Sequence, residues 1–305
     1  IVKNKMFYFT DYEGFKQNFA NQFLLTVPTA AQKQGVFYRA VTDPDSKVPF
    51  VNNTVPLTRF DSLGKKLVDL YPDANLPGAV AASGQTINNY GASRDGRENT
   101  QKADIKGDFN RSANDNISLR WSFLRQDIYR DALFPGVADG ANNQGGQFNK
   151  NQSYGATWTR TLSPVAVNVF RFGYNRTFAT FTNPTANGAG AAAFGFKGIP
   201  AEAIAANNGG LPLISVTNYN QLGTRNFRPQ FQAPELFQFL DTISLTKGEH
   251  SLRMGFETRQ KNNTFQDLAR TVPAYTFGGR FTGEAMADLL VGYVQQFDAN
   301  TQANV

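Results

Sequence analysis

Residues 242–259 read TISLTKGEHSLRMGFETR, and the direction in which the two faces of this stretch point decides the fold. Two runs of alternating polarity flank Lys247 and Gly248, a turn pair, so the local expectation is a β-hairpin. In the second run Leu252, Met254 and Phe256 fall on one face, with Arg253, Glu257 and Arg259 on the other, because successive strand residues point to opposite sides. A soluble sandwich buries the apolar face in a core. An outer-membrane barrel turns it to lipid and points the charges into its lumen. Alternation alone satisfies both.

The same period of two recurs along the chain. It predicts strands at about 5–13, 101–110, 115–126, 153–162, 165–178, 235–246, 249–261 and 272–281. In 115–126 Ile117, Leu119, Trp121 and Phe123 share a face opposite Ser118, Arg120 and Ser122. In 165–178 Phe170, Phe172, Tyr174 and Phe178 share one, interrupted by Arg176 near its end, where lipid headgroups would solvate it. Short turns at 110–114, 163–164 and 247–248 alternate with long connections at 14–100, 127–152 and 179–234. A compact soluble domain rarely carries unstructured loops beyond about 15 residues. An up-and-down membrane barrel produces this alternation, with turns on one side and long loops on the other. Most of the strands also exceed the soluble norm of about five or six residues and meet the roughly 9–11 that cross a bilayer at a tilt.

The fold class expected is therefore all-β: a partial antiparallel up-and-down transmembrane β-barrel over residues 1–305, with long extracellular loops and one or two short loop helices. One helix is expected inside the first loop, where Phe60, Leu63, Leu67 and Leu70 fall at helical spacing before Pro72, and a second turn of helix near 284–290. Gly-rich loop segments are expected at 187–198 and 205–210.

Composition agrees. Apolar residues make up 41% of the chain and charged ones only 18%, leaving Asn, Gln, Ser, Thr and Gly to supply wet strand faces and loops. With 27 Phe and 11 Tyr, aromatic usage favours strands. The net charge of +6 is dispersed, with no more than two consecutive cations, so no nucleic-acid partner is expected. Cysteine is absent, removing disulfides, thiolate metal sites and thiol nucleophiles. No run approaches the roughly 18 apolar residues of a membrane helix. The opening IVKNKMFYFT, with neither an initiator Met nor a signal peptide, reads as the start of a fragment.

No catalytic, cofactor or metal residue is expected. The single histidine, His250, follows the turn and has no second His, no Cys and no HExxH spacing to work with. Asp43 and Asp45 in TDPDSK suit a turn, and Asp104 and Asp108, four apart on a strand, lie about 13 Å apart by strand rise. Glycoside hydrolysis uses carboxylates about 5–9.5 Å apart. No phosphate-binding glycine motif stands in a strand-to-helix context.

Several segments, taken in order, resemble a known family. KNKMFYFTDYEGF, TVPTAAQKQGVF, VPLTRFDSLGKKLVDLYP and NNY, followed by LPLISVTNYNQLGT, DTISLTKGEHSLRMGFETR and FTGEAMADLLVGY, are similar to the start of the barrel region in Oar-like TonB-dependent outer-membrane receptors. The resemblance implies a transporter barrel in outer-membrane lipid, a TonB complex engaged through an N-terminal region absent from this chain, and a ligand of the siderophore, glycan or peptide class. It carries over no ligand-binding residue. The expected function is ligand uptake across the bacterial outer membrane, with surface adhesion as a second role, and Arg120, Arg253, Glu257 and Arg259 are expected to face the lumen. The alternative is a secreted soluble β-sandwich or adhesin module binding carbohydrate or protein through its loops, with Leu252, Met254 and Phe256 buried.

Overall fold

The computed structural model describes residues 3–138, 145–183, 194–199, 210–225, 227–228, 230–267 and 272–299. The expected Gly-rich segments at 187–198 and 205–210 lie largely outside them. In chain order the elements are β1 (Met6–Leu25), α1 (Ala30–Lys33), α2 (Ser62–Asp69), β2 (Ala79–Val80), β3 (Thr86–Ile87), β4 (Tyr90–Asn110), β5 (Asp115–Arg130), β6 (Gly145–Ser163), β7 (Ala166–Phe181), β8 (Leu213–Val216), β9 (Gln230–Lys247), β10 (His250–Asp267), β11 (Ala274–Phe277), α3 (Ala285–Leu290) and β12 (Gln296–Asp298).

Seven of the strands form one antiparallel meander in the order β1-β4-β5-β6-β7-β9-β10. The pairing is continuous except between β7 and β9 opposite Ala233 and Pro234. Met6 stands opposite Phe109 and Leu25 opposite Tyr90, and His250 opposite Lys247 closes the opening hairpin over Gly248 and Glu249. Gly248 has φ 61°, the left-handed backbone that the first position of such a two-residue loop requires. The sheet is open, with β1 and β10 at its edges.

The strands run further than alternation predicts. β1 continues to Leu25 and β4 begins at Tyr90, so the long connections shorten to 26–89, 131–144 and 182–229. The added half of β4 reads GASRDGRENT and is polar on both faces, so it carries no period-two signal although its backbone pairs as well as the rest. A second difference concerns 272–281. Only Ala274–Phe277 is strand, and it lies in a small separate sheet between β8, its parallel partner, and β12.

Most of the buried core lies outside the meander, which contributes only Leu25 and Ala92 to it. It lies where the long connections meet, all leaving the same end of the sheet, opposite the tight turns. Tyr71, Leu67, Phe134, Leu211, Ile214, Leu222, Met286, Leu289 and Leu290 are fully buried there in one cluster. We call this unit the cap. Thr29 and Gln32 form a reciprocal capping box on α1, and Asp61 accepts from the Leu63 and Gly64 amides (2.9 and 2.7 Å) to start α2. Gly64 lets α2 approach the α3 region closely, since a Cβ there would sit 2.1 Å from the Leu289 carbonyl oxygen.

Buried polar groups lock the cap together. Asn89 accepts from the Val27 amide and donates to the Val27 carbonyl, both at 2.9 Å, tying the chain as it leaves β1 to the chain as it enters β4. Asn220 accepts from the Thr26 amide (2.8 Å), and its carbonyl accepts from Tyr71 Oη (2.8 Å). Glu284 is buried and receives Arg39 (2.7 Å), Tyr38 Oη (2.9 Å) and Tyr219 Oη (3.3 Å). Asp288 accepts from the amide and hydroxyl of Thr282 at 2.8 and 2.7 Å. Burial pushes the Tyr71 and Tyr219 phenols well above their ordinary range.

Two predictions follow from these contacts. Asn89→Ala strands a buried N–H and a buried C=O at once, and is expected to cost the cap about 2–4 kcal/mol. Hydrogen exchange should quicken at cap amides while those of β5 and β6 hold. The Lys33 ammonium, bonded to Asp73 at 2.6 Å, and the Tyr293 hydroxyl and Arg59 beside Asp45 hold both carboxyls below the usual range. A depressed folded pKa means that this stabilisation is full above the ordinary carboxylate pKa and is lost as pH falls through the folded values. Cap protection is therefore expected to decline as pH falls below about 4, the ordinary carboxylate pKa, and Asp73→Asn should flatten part of that decline.

Candidate functional site

The pairing register fixes which side chains share a face, since residues directly opposite one another point the same way. From Arg120, register leads to Lys106 on β4 and Gly155 on β6; from Arg253 it leads to Ser244 on β9 and Val167 on β7. Followed through all seven strands, Arg120, Arg253, Glu257 and Arg259 lie on one and the same face. Leu252, Met254 and Phe256 lie on the other, with Ile117, Leu119, Trp121, Phe123, Phe170, Phe172 and Tyr174.

From β4 to β10 the first face is mainly polar and internally bonded, while β1 also turns Phe7, Phe9 and Phe15 to it. Arg120 donates to Asp104 from Nη2 (2.6 Å) and Nε (3.1 Å), and Ser122 donates to the same carboxylate. Glu98 accepts from Thr100 (2.9 Å) and Gln126 (2.7 Å), whose Oε1 in turn accepts from Asn149 (2.8 Å). Lys106 pairs with Asp108 (2.9 Å) and Lys102 with Glu13 (3.4 Å). Towards the β10 edge Glu257 receives Gln238 (2.7 Å) and Arg259. The four expected residues therefore share a face, yet they do not form one cluster: Arg120 belongs to the β4–β5 network and Glu257 with Arg259 to the β9–β10 one.

The second face is apolar and aromatic. Tyr174 lies 4.6 Å from Phe237 and 5.9 Å from Tyr154, Phe172 lies 5.1 Å from Phe239, and Phe178 lies 5.3 Å from Phe231, each between ring centroids on neighbouring strands. Charges bound this zone. On β5, Asp115 at the turn end accepts from Trp158 Nε1 (3.0 Å), and the next charges on that face are Arg125 and Asp127, paired at 2.9 Å. From Asp115 to Arg125 the strand rises about 33 Å, or about 25 Å along the normal at a tilt of about 40°. On β5 that is the height of a lipid-facing band; on β9 the uncharged stretch of the same face is shorter, from Glu235 to Asp241, which stands opposite Phe170 and Phe256 and accepts from Asn168 (2.7 Å). Arg176, expected to rely on headgroups, instead pairs across the strands with Glu235 (3.3 Å), to which Tyr174 Oη also donates (3.0 Å).

Among the described residues nothing packs over Leu252, Met254 and Phe256, which are 57, 57 and 70% exposed. A soluble sandwich needs them buried, so that alternative does not describe this sheet.

The carboxylates considered for catalysis or cation binding are engaged otherwise. Asp43 and Asp45 both hold Arg59, at 2.7 and 2.6 Å, and Asp45 also receives Tyr293 Oη. Asp104 and Asp108 belong to the ion pairs above. Among the described residues no group of three or more His, Asp or Glu side chains is placed to hold a metal ion.

Two cavities at the cap end lay beyond sequence reasoning. The larger, about 640 Å³, is lined on the apolar side by Lys16, Arg97, Asp127, Tyr129 and Phe148, above the aromatic band. The other, about 520 Å³, opens on the polar face and is lined by Arg94, Arg130, Arg225 and Arg228 with Gln147 and Phe181. These arginines come from β4, β5 and the connection into β9, so no run of basic residues announces them. Their only shared signal in the sequence is a position at or near a strand's loop end.

No curated protein and no solved structure matches the chain. The model of one family does, over residues 1–305, and its description agrees with a long antiparallel meander whose ion-pair networks gather on one face and whose aromatic clusters gather on the other. The chain belongs to the outer membrane beta barrel domain family and is an outer-membrane protein.

Proposed function

We propose that this chain is part of a TonB-dependent receptor of the Oar-like type, which takes a ligand up across the outer membrane. The observation that carries the reading is the division of labour between wall and cap. A pore needs only a wall, whereas here the long connections on one side fold into a single cap with its own buried core, set at one end of a polar face. Loops held by such a scaffold are the usual seat of ligand contact. The ordered segments that resemble Oar-like receptors support the same reading. On it the polar face lines the lumen, with Arg120, Arg253, Glu257 and Arg259 along it, and the aromatic face meets lipid. The TonB complex would act through a region outside this chain, and the process involves no bond-making step. The ligand classes compatible with the family remain siderophore, glycan or peptide.

The first test is one of accessibility. Spin labels at 253 and 254, in the intact protein in outer membranes, are expected to report water and lipid respectively; a lipid-exposed 253 would sink the register. The second test uses energy. Leu119 sits near the middle of the aromatic band and is already 56% exposed, so Leu119→Arg is nearly neutral if that face meets water. Facing lipid at the midplane it should cost about 2–4 kcal/mol, read as a lower urea midpoint for the barrel in phospholipid bilayers.

A further inference from the structure

The cavity of about 640 Å³ is a groove on the aromatic face, at the loop end of the sheet and directly above the rings of β5. Two of the rings that line it each carry a guanidinium group. Arg97 Cζ lies 4.4 Å from the centre of the Tyr129 ring, and Arg125 Cζ lies 5.4 Å from that of Phe148. Stacking of this kind restrains a guanidinium while leaving its N–H edge open to an acceptor. Lys16 adds a third cation from β1. The carboxylates nearby are engaged: Asp127 by Arg125 at 2.9 Å, and Glu98, which its register turns to the polar face, by Thr100 and Gln126. Among the described residues no carboxylate lies within ion-pair distance of Lys16 or Arg97, and both side chains are exposed. Below the groove the same face of β5 continues into Phe123 and Trp121, stacked at 5.8 Å, and then Leu119.

We propose that this groove holds a phosphate group of an anionic lipid in the outer leaflet, with the acyl chains of that lipid lying on Phe123, Trp121 and Leu119. Position is the first argument. The long connections leave this end of the sheet, and in outer-membrane barrels the long loops face the cell exterior, so the groove stands where the head groups of the outer leaflet lie. Charge is the second. Guanidinium and ammonium groups are the usual partners of phosphate, the guanidinium fork in bidentate fashion. Continuity is the third. Arg125 stands two residues above Phe123, about 7 Å along the strand, so a head group on the cations leaves its chains at the rings. A soluble anion would use only the upper half of this surface, whereas an amphipathic one uses both, as lipids do in basic pockets on membrane-facing surfaces. The inference goes beyond the receptor reading and requires only that the aromatic face meets lipid.

The experiment uses the intact protein, purified in dodecyl maltoside and titrated with diphosphorylated lipid A dispersed in the same detergent, binding being read from the thermophoresis of the labelled protein. Saturable binding that weakens as salt rises is expected. Lys16→Gln with Arg97→Gln should weaken it at least tenfold. Lys16→Arg with Arg97→Lys, which keeps both charges, should retain most of it, and Arg160→Gln, on the same face at the turn end, should leave it unchanged. Lys16 and Arg97 are exposed, so the double Gln variant is expected to keep the urea midpoint of the barrel in bilayers without lipid A. No saturable binding, or binding indifferent to Lys16 and Arg97, overturns the proposal. Equal binding of lipid A stripped of its phosphates overturns the phosphate contact. Tripolyphosphate alone binding as tightly through the same two residues overturns the lipid assignment in favour of a soluble anion. Failure here with the label at 254 still in lipid removes only this site, whereas a label at 254 in water overturns both the site and the outward orientation of the face.

Discussion

Everything in this structure depends on one requirement: in hydrocarbon a backbone N–H or C=O has no water to bond, so the strands must satisfy it among themselves. The meander does so almost throughout from β1 to β10, with a register shift between Thr161 and Ser163 and a gap in the β7–β9 ladder opposite Pro234, which has no N–H to donate. Side chains then follow the two-residue period and sort by solvent. Rings on the lipid side pack across strands, and polar groups on the other side bond to one another in networks such as Asp104 with Arg120 and Ser122. The same requirement bears on the edges. β1 and β10 each present a row of backbone groups with no partner strand among the described residues, and a row of that kind is not tolerated facing lipid. In the bilayer both edges need further strands.

The part of each strand that the sequence reveals is the part whose two faces meet different solvents. Residues 101–110 and 115–126 alternate because one side is apolar and the other wet. The half of β4 from Tyr90 to Thr100 pairs with β1 in the same register, yet Arg94, Asp95, Arg97, Glu98 and Asn99 make both its faces polar. Period-two patterning measures a difference between faces, and where both are wet there is none. The opposite error at 272–281 has the same root. A short strand in the cap, buried among Leu213, Ile214 and α3, alternates no differently from a wall strand.

The segments that resemble Oar-like receptors turn out to share a physical task. TVPTAAQKQGVF supplies Val27, Thr29 and Gln32; NNY supplies Asn89; LPLISVTNYNQLGT supplies Tyr219 and Asn220; FTGEAMADLLVGY supplies Thr282, Glu284 and Asp288. Most are buried polar groups satisfied by a specific distant partner. An apolar core position accepts many residues of similar volume, but a buried amide that caps one backbone N–H and one C=O accepts few. That is why most of the resembling segments are cap motifs, with KNKMFYFTDYEGF on β1 and DTISLTKGEHSLRMGFETR on the β9–β10 hairpin as the two that belong to the wall. The basic cavity escapes such reading because its arginines are joined only by the fold, at positions 94, 130, 225 and 228.

The placement of charge along the polar face limits where selectivity can reside. In its middle, Glu13, Asp104 and Asp108 are paired with Lys102, Arg120 and Lys106 within 3.4 Å. Seen from a ligand, each pair is a short dipole whose field is largely screened over the roughly 8 Å of a physiological Debye length. Such a wall offers hydrogen bonds to many solutes and a strong preference to none.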